Sequence, residues 1–372
     1  MKIYGIICEY NPLHLGHHKQ MKLIKDQDGA IVCLMSGNFV QRGQPAIIDK
    51  MARAKAAVDC GADLVLELPV TTALSSAEGF AAGGVDILGK FCDYLSFGAE
   101  TADSEKLMET AKLLLSPEFS EKLRTQLDRG LSFPAARQQA LGAEGAVLET
   151  PNNILAVEYC KAILKGGYDM KIAPISRTGG YHDELPHPTE PSATAVRKLM
   201  LENKDFSPYV PTDSFKNAVL HHISYGERAI LAKLRTMTDA EFEALPFGSE
   251  GLWRKLMHES RSKASLEDIL TAVKSKRYTR TRLDRMVMCA FLGITEEVMQ
   301  KAAPYVRVLG FNDTGREILK KARLTGEFIN IGQSVDHPNQ LLENRCTDLY
   351  GLFAETLPPA GLEQESRVYY KR

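Results

Sequence analysis

The tetrad His14-Leu15-Gly16-His17 brings together residue types that handle phosphate: two imidazoles with a glycine between them. An imidazole can donate a hydrogen bond to a phosphoryl oxygen as charge builds there. A glycine lets a base or ribose lie close to the backbone. Before the tetrad, Ile3, Tyr4, Ile6 and Ile7 form a short β-rich apolar run that reads as a buried strand, and Glu9-Tyr10-Asn11-Pro12 breaks it. After it, Gly16 to Lys25 can wind as a helix. The histidines therefore fall at a strand–loop–helix junction, where free N–H groups and the positive end of the helix dipole favour an anion.

Two later stretches offer the same chemistry. Arg177 follows the apolar run Met170 to Ile175 and stands in the Gly-rich loop Ser176-Arg177-Thr178-Gly179-Gly180. A guanidinium there can grip phosphate oxygens in a bidentate fork. Ser192-Ala193-Thr194-Ala195-Val196-Arg197 sets hydroxyls and a cation at a helix start, with Ser192 or Thr194 as its first residue.

The elements that must position these residues alternate. Apolar runs at Ala30–Met35, Asp63–Leu68 and Asp93–Gly98 are separated by helical patterns at Asp49–Val58 and Phe80–Phe91. This predicts βαβ units: an α/β protein with an N-terminal Rossmann-like parallel-sheet domain. Ligands in such sheets bind at the carboxyl ends of strands, where His14, Ser36, Gly37 and Gly98 fall. Glu67 also closes a strand and suits either a water-mediated hold on Mg²⁺ or a cap on the next segment. Residues 103–150 read as a helical insertion. Pro151-Asn152-Asn153 opens a further helix, with either asparagine a natural N-cap. Ser207-Pro208-Tyr209-Val210-Pro211 predicts a boundary, dividing 1–208 from a mainly α-helical region at 209–372. Helices are expected there at 213–225, 227–236, 239–245, 252–260, 265–274 and 280–292. Residues 305–312 read as a strand or a buried turn, and 361–372 as poorly ordered.

Lys274 to Arg285 is the most basic stretch, with six Lys or Arg against one Asp. Such runs commonly mark only a solvated face. Here Lys274, Lys276, Arg277, Arg280, Arg282 and Arg285, with Tyr278 interleaved, match RNA backbone contact with one stacking ring.

His14-Leu15-Gly16-His17 resembles the HIGH/HxGH signature of the nucleotidylyltransferase superfamily, which includes the class I aminoacyl-tRNA synthetases. The wider text from Gly5 to His17 is similar to one family in particular, the bacterial tRNA(Met) cytidine acetate ligases. The resemblance implies an ATP-dependent ligase that activates acetate as acetyl-adenylate and acetylates N4 of the wobble cytidine of elongator tRNA(Met). It implies His14 and His17 as the catalytic pair. ATP is expected against Ile7, Cys8, Glu9, Tyr10, Asn11 and Pro12, against Gly16, Lys19 and Gln20 of the first helix, and against Gly98, Asn152, Arg177 and Thr178. In the superfamily a Ser/Thr-rich motif ending in Arg binds the β- and γ-phosphates, which implies that role for Ser192, Thr194 and Arg197. Mg²⁺ is expected on the phosphates, with no protein ligand assigned. The family pattern has an acidic residue after Gly251-Leu252; this chain has Trp253. A small-molecule adenylyltransferase or a carboxylate–amine ligase without RNA is the alternative, and a regulatory nucleotide binder without turnover is a third.

Composition sets the outer bounds. At 372 residues there is room for two or three cores. A net charge of −1 gives no global pull on nucleic acid, so RNA contact needs a local patch. Seven dispersed cysteines without a CxxC pair argue for reduced thiols rather than a zinc ribbon or disulfides. No apolar run approaches the ~18 residues of a spanning helix, and strand one starts at once, so a cytoplasmic protein without membrane contact is expected. Oligomeric state is not readable.

Overall fold

The computed structural model describes residues 1–131, 133–177 and 187–372. The apolar runs of the first hundred residues become strands because each can bury both faces. They are β1 (Ile3–Cys8), β2 (Ala30–Ser36), β5 (Leu64–Leu68), β6 (Tyr94–Ala99) and β7 (Lys171–Ser176), with a small hairpin of β3 (Phe39–Val40) and β4 (Gln44–Pro45) after β2. The parallel order is β5-β2-β1-β6-β7. The chain steps from β1 through β2 to β5, then returns to lay β6 on the other side of β1. The switch point therefore lies between β1 and β6, and a crevice opens at their carboxyl ends.

Alternation along the strands builds two cores. Ile3, Ile7, Val32, Leu34, Leu64 and Leu66 pack against helices Ala77–Leu88, Ser104–Leu114 and Pro151–Gly166. Tyr4, Ile6, Ile31, Cys33, Met35 and Val65 pack on the opposite face, against Leu15–Lys25, Lys50–Asp59 and Ala193–Leu201. A third core belongs to the helices Glu227–Thr236, Leu252–Ser262, Leu266–Val273, Arg280–Leu292 and Pro338–Gly351, and takes in Phe39, Val70 and Leu74 from the sheet region.

Several expectations are revised. The region after 208 is mainly helical, yet its last third returns to the sheet. There β8 (Tyr305–Phe311) pairs antiparallel with β5, while β9 (Glu327–Asn330) and β10 (Tyr369–Tyr370) both pair with β8. In sequence terms β8 was a strand or a buried turn; its partner β5 lies more than two hundred residues away, beyond the reach of local pattern. Residues 213–225 give only a 3₁₀ turn, Asp213–Phe215, and not a helix. Residues 361–372 are ordered: they hold the helix Leu362–Glu365, strand β10 and the buried Glu363. Glu67 neither faces the crevice nor caps a segment. It is buried, 2.9 Å from Lys50 and 2.8 Å from Arg307.

Candidate active site

Helix Leu15–Lys25 begins immediately after the β1 loop because His14 caps it. His14 Nδ1 accepts from the Gly16 amide at 3.1 Å, and His17 Nδ1 accepts from the His14 amide at 3.4 Å. A histidine thus does at each position what Ser and Glu do in a capping box. The two rings stack, with centroids 3.7 Å apart and planes 23° apart. A Cβ on Gly16 would stand 3.1 Å from the His14 ring, so glycine clears the way for that ring to cap. Because both Nδ1 atoms accept, each neutral ring carries its proton on Nε2, leaving two N–H donors for a ligand. Burial, then Arg177 and Arg197, drives His14 down to about 3. Burial, then His14 and Arg177, holds His17 well below the ordinary histidine range. The pair is neutral at pH 7.

The loop before His14 is fixed from below. Arg53 is fully buried, and it donates to the carbonyls of Ile48 at 2.8 Å, Glu9 at 2.6 Å and Ser36 at 3.1 Å, as well as to Gly37. Asn11 Oδ1 accepts from the Ile47 amide at 2.7 Å. Tyr10 adopts a left-handed φ of 44° and sends its hydroxyl to Cys33 Sγ at 3.3 Å. From the other side, Arg197 Nη1 donates to the Asn11 carbonyl at 2.7 Å, and Nη2 donates to Thr194 Oγ1 at 3.1 Å. Ser192 Oγ caps that helix through the Ala195 amide at 3.1 Å.

Two adjoining cavities open at this crevice. The larger, about 580 Å³, is lined by Ile7, Cys8, Glu9, Tyr10, Asn11, Gly16, His17, Lys19, Gln20, Gly98, Asn152, Arg177 and Arg197 among others. The second, about 520 Å³, is lined by His14, Ser192, Thr194 and Lys198, and shares Glu9, Asn11, His17, Asn152, Arg177 and Arg197 with the first. Pro12 is buried and lines neither cavity. Thr178 lies outside the described residues. Gly98 has a direct reason: a Cβ there would come 2.6 Å from Arg177 Cδ, so glycine lets the arginine cross β6. Asn152 is not a cap; Thr150 holds the N-cap position. Glu100 gathers this turn, accepting from Asn152 Nδ2 at 2.6 Å, Thr150 Oγ1 at 2.7 Å and the Asn153 amide at 3.1 Å.

The basic stretch divides. Lys274, Lys276 and Arg277 are exposed. Arg277 pairs with Glu250 at 2.6 Å, and Tyr278 donates to the same carboxylate at 2.9 Å. Arg280 pairs with Glu267 and Asp284, and Arg282 donates to the Phe247 carbonyl. Arg285 departs from the expected outer RNA face: it is buried and, with Thr279 and Thr281, lines the larger cavity. Four residues, about one turn, separate it from Thr281 and carry it inward with the apolar stripe of its helix. Residues missed in sequence include Arg53, Gln41, Arg42 and His221. A lone arginine in the Ala-rich run from Ala52 to Val58 was the one available signal.

A strand-switch crevice with a double-histidine helix start defines a HIGH-type nucleotidyl transferase. The family model described as HIGH Nucleotidyl Transferase matches residues 1–365. A tRNA(Met) cytidine acetate ligase of Clostridium perfringens is 38% identical over 362 residues, 89% of each chain. One from Bacillus subtilis is 35% identical, covering 95% of this chain and 92% of its own. The crystal structure of apo Thermotoga maritima TmcAL superposes over 100% of both chains with a TM-score of 0.90 at 31% identity. The form bound with alpha-thio ATP gives a TM-score of 0.87 at 31% identity. The chain belongs to the tRNA(Met) cytidine acetate ligase family.

Proposed function

We propose that this chain is an ATP-dependent ligase that activates acetate as acetyl-adenylate and acetylates N4 of the wobble cytidine of elongator tRNA(Met). The observation that carries this reading is the pair of neutral, mutually capped histidines between two cavities. Their Nε2–H donors stabilise charge developing on the α-phosphoryl group without bringing a proton that could stray. Arg177 and Arg197, lining both cavities, hold the phosphates, with Ser192 and Thr194 beside them. An acetate oxygen attacks the α-phosphorus and pyrophosphate leaves. The cytidine amine then attacks the acetyl carbon and AMP leaves. Positioning and electrostatics suffice, and no nucleophilic side chain is called for.

Among the described residues, no group of three His, Cys, Asp or Glu side chains is placed to hold a metal ion. Mg²⁺ is proposed to be held by phosphate oxygens and water, where it would neutralise charge on the leaving pyrophosphate. Lys274, Lys276 and Arg277 are proposed to meet tRNA phosphates, and the target cytidine to be splayed from its loop into the crevice. Seven free cysteines suit a cytoplasmic setting.

The test is acetate-dependent ATP–pyrophosphate exchange, followed by mass spectrometry of tRNA(Met) after full turnover. Wild-type protein should exchange and produce N4-acetylcytidine. His17→Ala should lose roughly 10²-fold or more in exchange, the cost of one oxyanion donor. Near-normal exchange in that variant would remove the histidines from the chemistry.

A further inference from the structure

Arg285 exposes only 8% of its surface, yet no carboxylate among the described residues pairs with it. Its neighbour Asp284 and the nearby Glu267 are taken by Arg280, at 2.9 and 2.7 Å. Arg285 Nη1 makes one long bond, 3.4 Å, to the Gln41 carbonyl. The guanidinium lies 5.1 Å from the centre of the Phe247 ring, and Nε is buried without a partner. Asp284 acts on it only at a distance, and a buried cation with no carboxylate in direct contact is costly to the fold. The group opens instead onto the larger cavity, whose wall it forms with Thr279 and Thr281. Gln41, which receives Arg285 through its carbonyl, gives its own amide to Glu9 Oε1 at 2.8 Å. Glu9 stands in the loop that leads to His14. One residue therefore links the unpaired guanidinium to the phosphate-handling loop.

We infer that Arg285 binds the carboxylate of the acid substrate in this cavity and presents it to ATP. The inference rests on the acetate-activating reading given above. A small monoanion is the class that fits. A hydrated RNA backbone is too bulky for a guanidinium this buried. The nucleotide phosphates have their own cations in Arg177 and Arg197, and Arg285 is absent from the second cavity, where Ser192, Thr194 and Lys198 lie. The larger cavity also carries Phe80, Phe97 and Leu155, an apolar surface for an alkyl group. One carboxylate oxygen takes the arginine's N–H donors while the other forms the new O–P bond. The P–O bond to pyrophosphate breaks, and pyrophosphate leaves with the electron pair.

Arg285→Met and Arg285→Lys are to be compared with wild type in acetate-dependent ATP–pyrophosphate exchange, in tRNA acetylation and in thermal melting. Arg285→Met should raise the acetate KM tenfold or more, with the ATP KM within twofold. Arg285→Lys keeps a cation in place but loses the fork, and should fall between. Arg285→Met should melt at or above the wild-type temperature, since it removes an unpaired buried charge. An unchanged acetate KM in both variants overturns the inference. So does an ATP KM that rises in step with that of acetate, or a tRNA KM that rises alone, which would assign the guanidinium to a nucleotide or an RNA phosphate. A lower melting temperature with a normal acetate KM would make Arg285 a structural residue. If wild type itself shows no acetate-dependent exchange, the proposed function fails and the inference falls with it. Exchange in wild type with unshifted variants sinks the inference alone.

Discussion

At the scale of single residues, the state of His14 and His17 is set by what caps the helix. An exposed histidine titrates near 6.5, whereas His14 in the fold titrates at about 3. Between those values the unfolded chain binds more protons than the folded one. By linkage, stability then rises with pH across that window and is lost as pH falls from about 6.5 towards 3. His17, also displaced downward, adds to the same slope. NMR titration should accordingly show no protonation step for His14 or His17 between pH 8 and pH 5, and the melting temperature should fall on acidification through that range. A step for His14 above pH 7 would mean that the ring is mainly charged at neutral pH, and a donor role as neutral imidazole would be lost. Gly98 and Gly16 belong to this scale too. Each is a missing Cβ that makes room for a particular neighbour, Arg177 in one case and the His14 ring in the other.

At the scale of elements, a buried charge cluster fastens the returning chain to the sheet. Lys50 opens helix Lys50–Asp59, Glu67 lies near the end of β5 and Arg307 sits on β8. Glu343 and Glu363 come from helices Pro338–Gly351 and Leu362–Glu365. Lys50 meets Glu67 at 2.9 Å and Glu363 at 2.7 Å. Arg307 meets Glu67 at 2.8 Å, Glu343 at 3.0 Å and also Glu363. Thr347 adds a hydrogen bond to Glu363. Burial pushes Glu343 up, which matches three carboxylates facing two cations. Arg307→Ala would leave those carboxylates with Lys50 alone, so it should destabilise the protein by about 3–5 kcal/mol. Denaturant unfolding checks this, and an unchanged midpoint would show that the cluster contributes nothing net.

At the scale of the whole molecule, the segment after 208 joins both the sheet and the crevice of the first half. The segment 209–372 supplies β8, β9 and β10 to the sheet, and helix Arg280–Leu292 walls the larger cavity. Gly43 shows how close the halves come: a Cβ there would lie 2.4 Å from the Arg285 amide nitrogen. RNA contact is therefore expected at the outer part of the basic stretch rather than along all of it. Replacing Lys274, Lys276 and Arg277 together with Ala should weaken tRNA binding and reduce the salt slope by roughly 0.7–0.9 for each phosphate no longer neutralised. Filter binding across a salt series measures both. Unchanged affinity and slope would make that face merely solvated.

Local pattern was enough for the parallel strands and for some helix starts. Continuous apolar runs of this length, bounded by turn residues, favour buried strands, and Asp49 and Ser192 cap where short polar side chains should. The double histidine after strand one was legible because its chemistry is carried by neighbours in sequence. The tertiary structure alone decided what depends on distant partners. Thr150 rather than an asparagine holds the cap position, because Glu100 draws Asn152 and Asn153 to its carboxylate. Strand β8 exists because β5 has an open edge. Glu67 is a buried anion because Lys50 and Arg307 converge on it. Arg285 reads in sequence as one more charge in a basic run; helix register and the packing of the Phe39–Pro45 hairpin bury it and turn it to the cavity. Charge along a chain is a property of sequence, but whether a charge is solvated or enclosed is settled only by what folds over it.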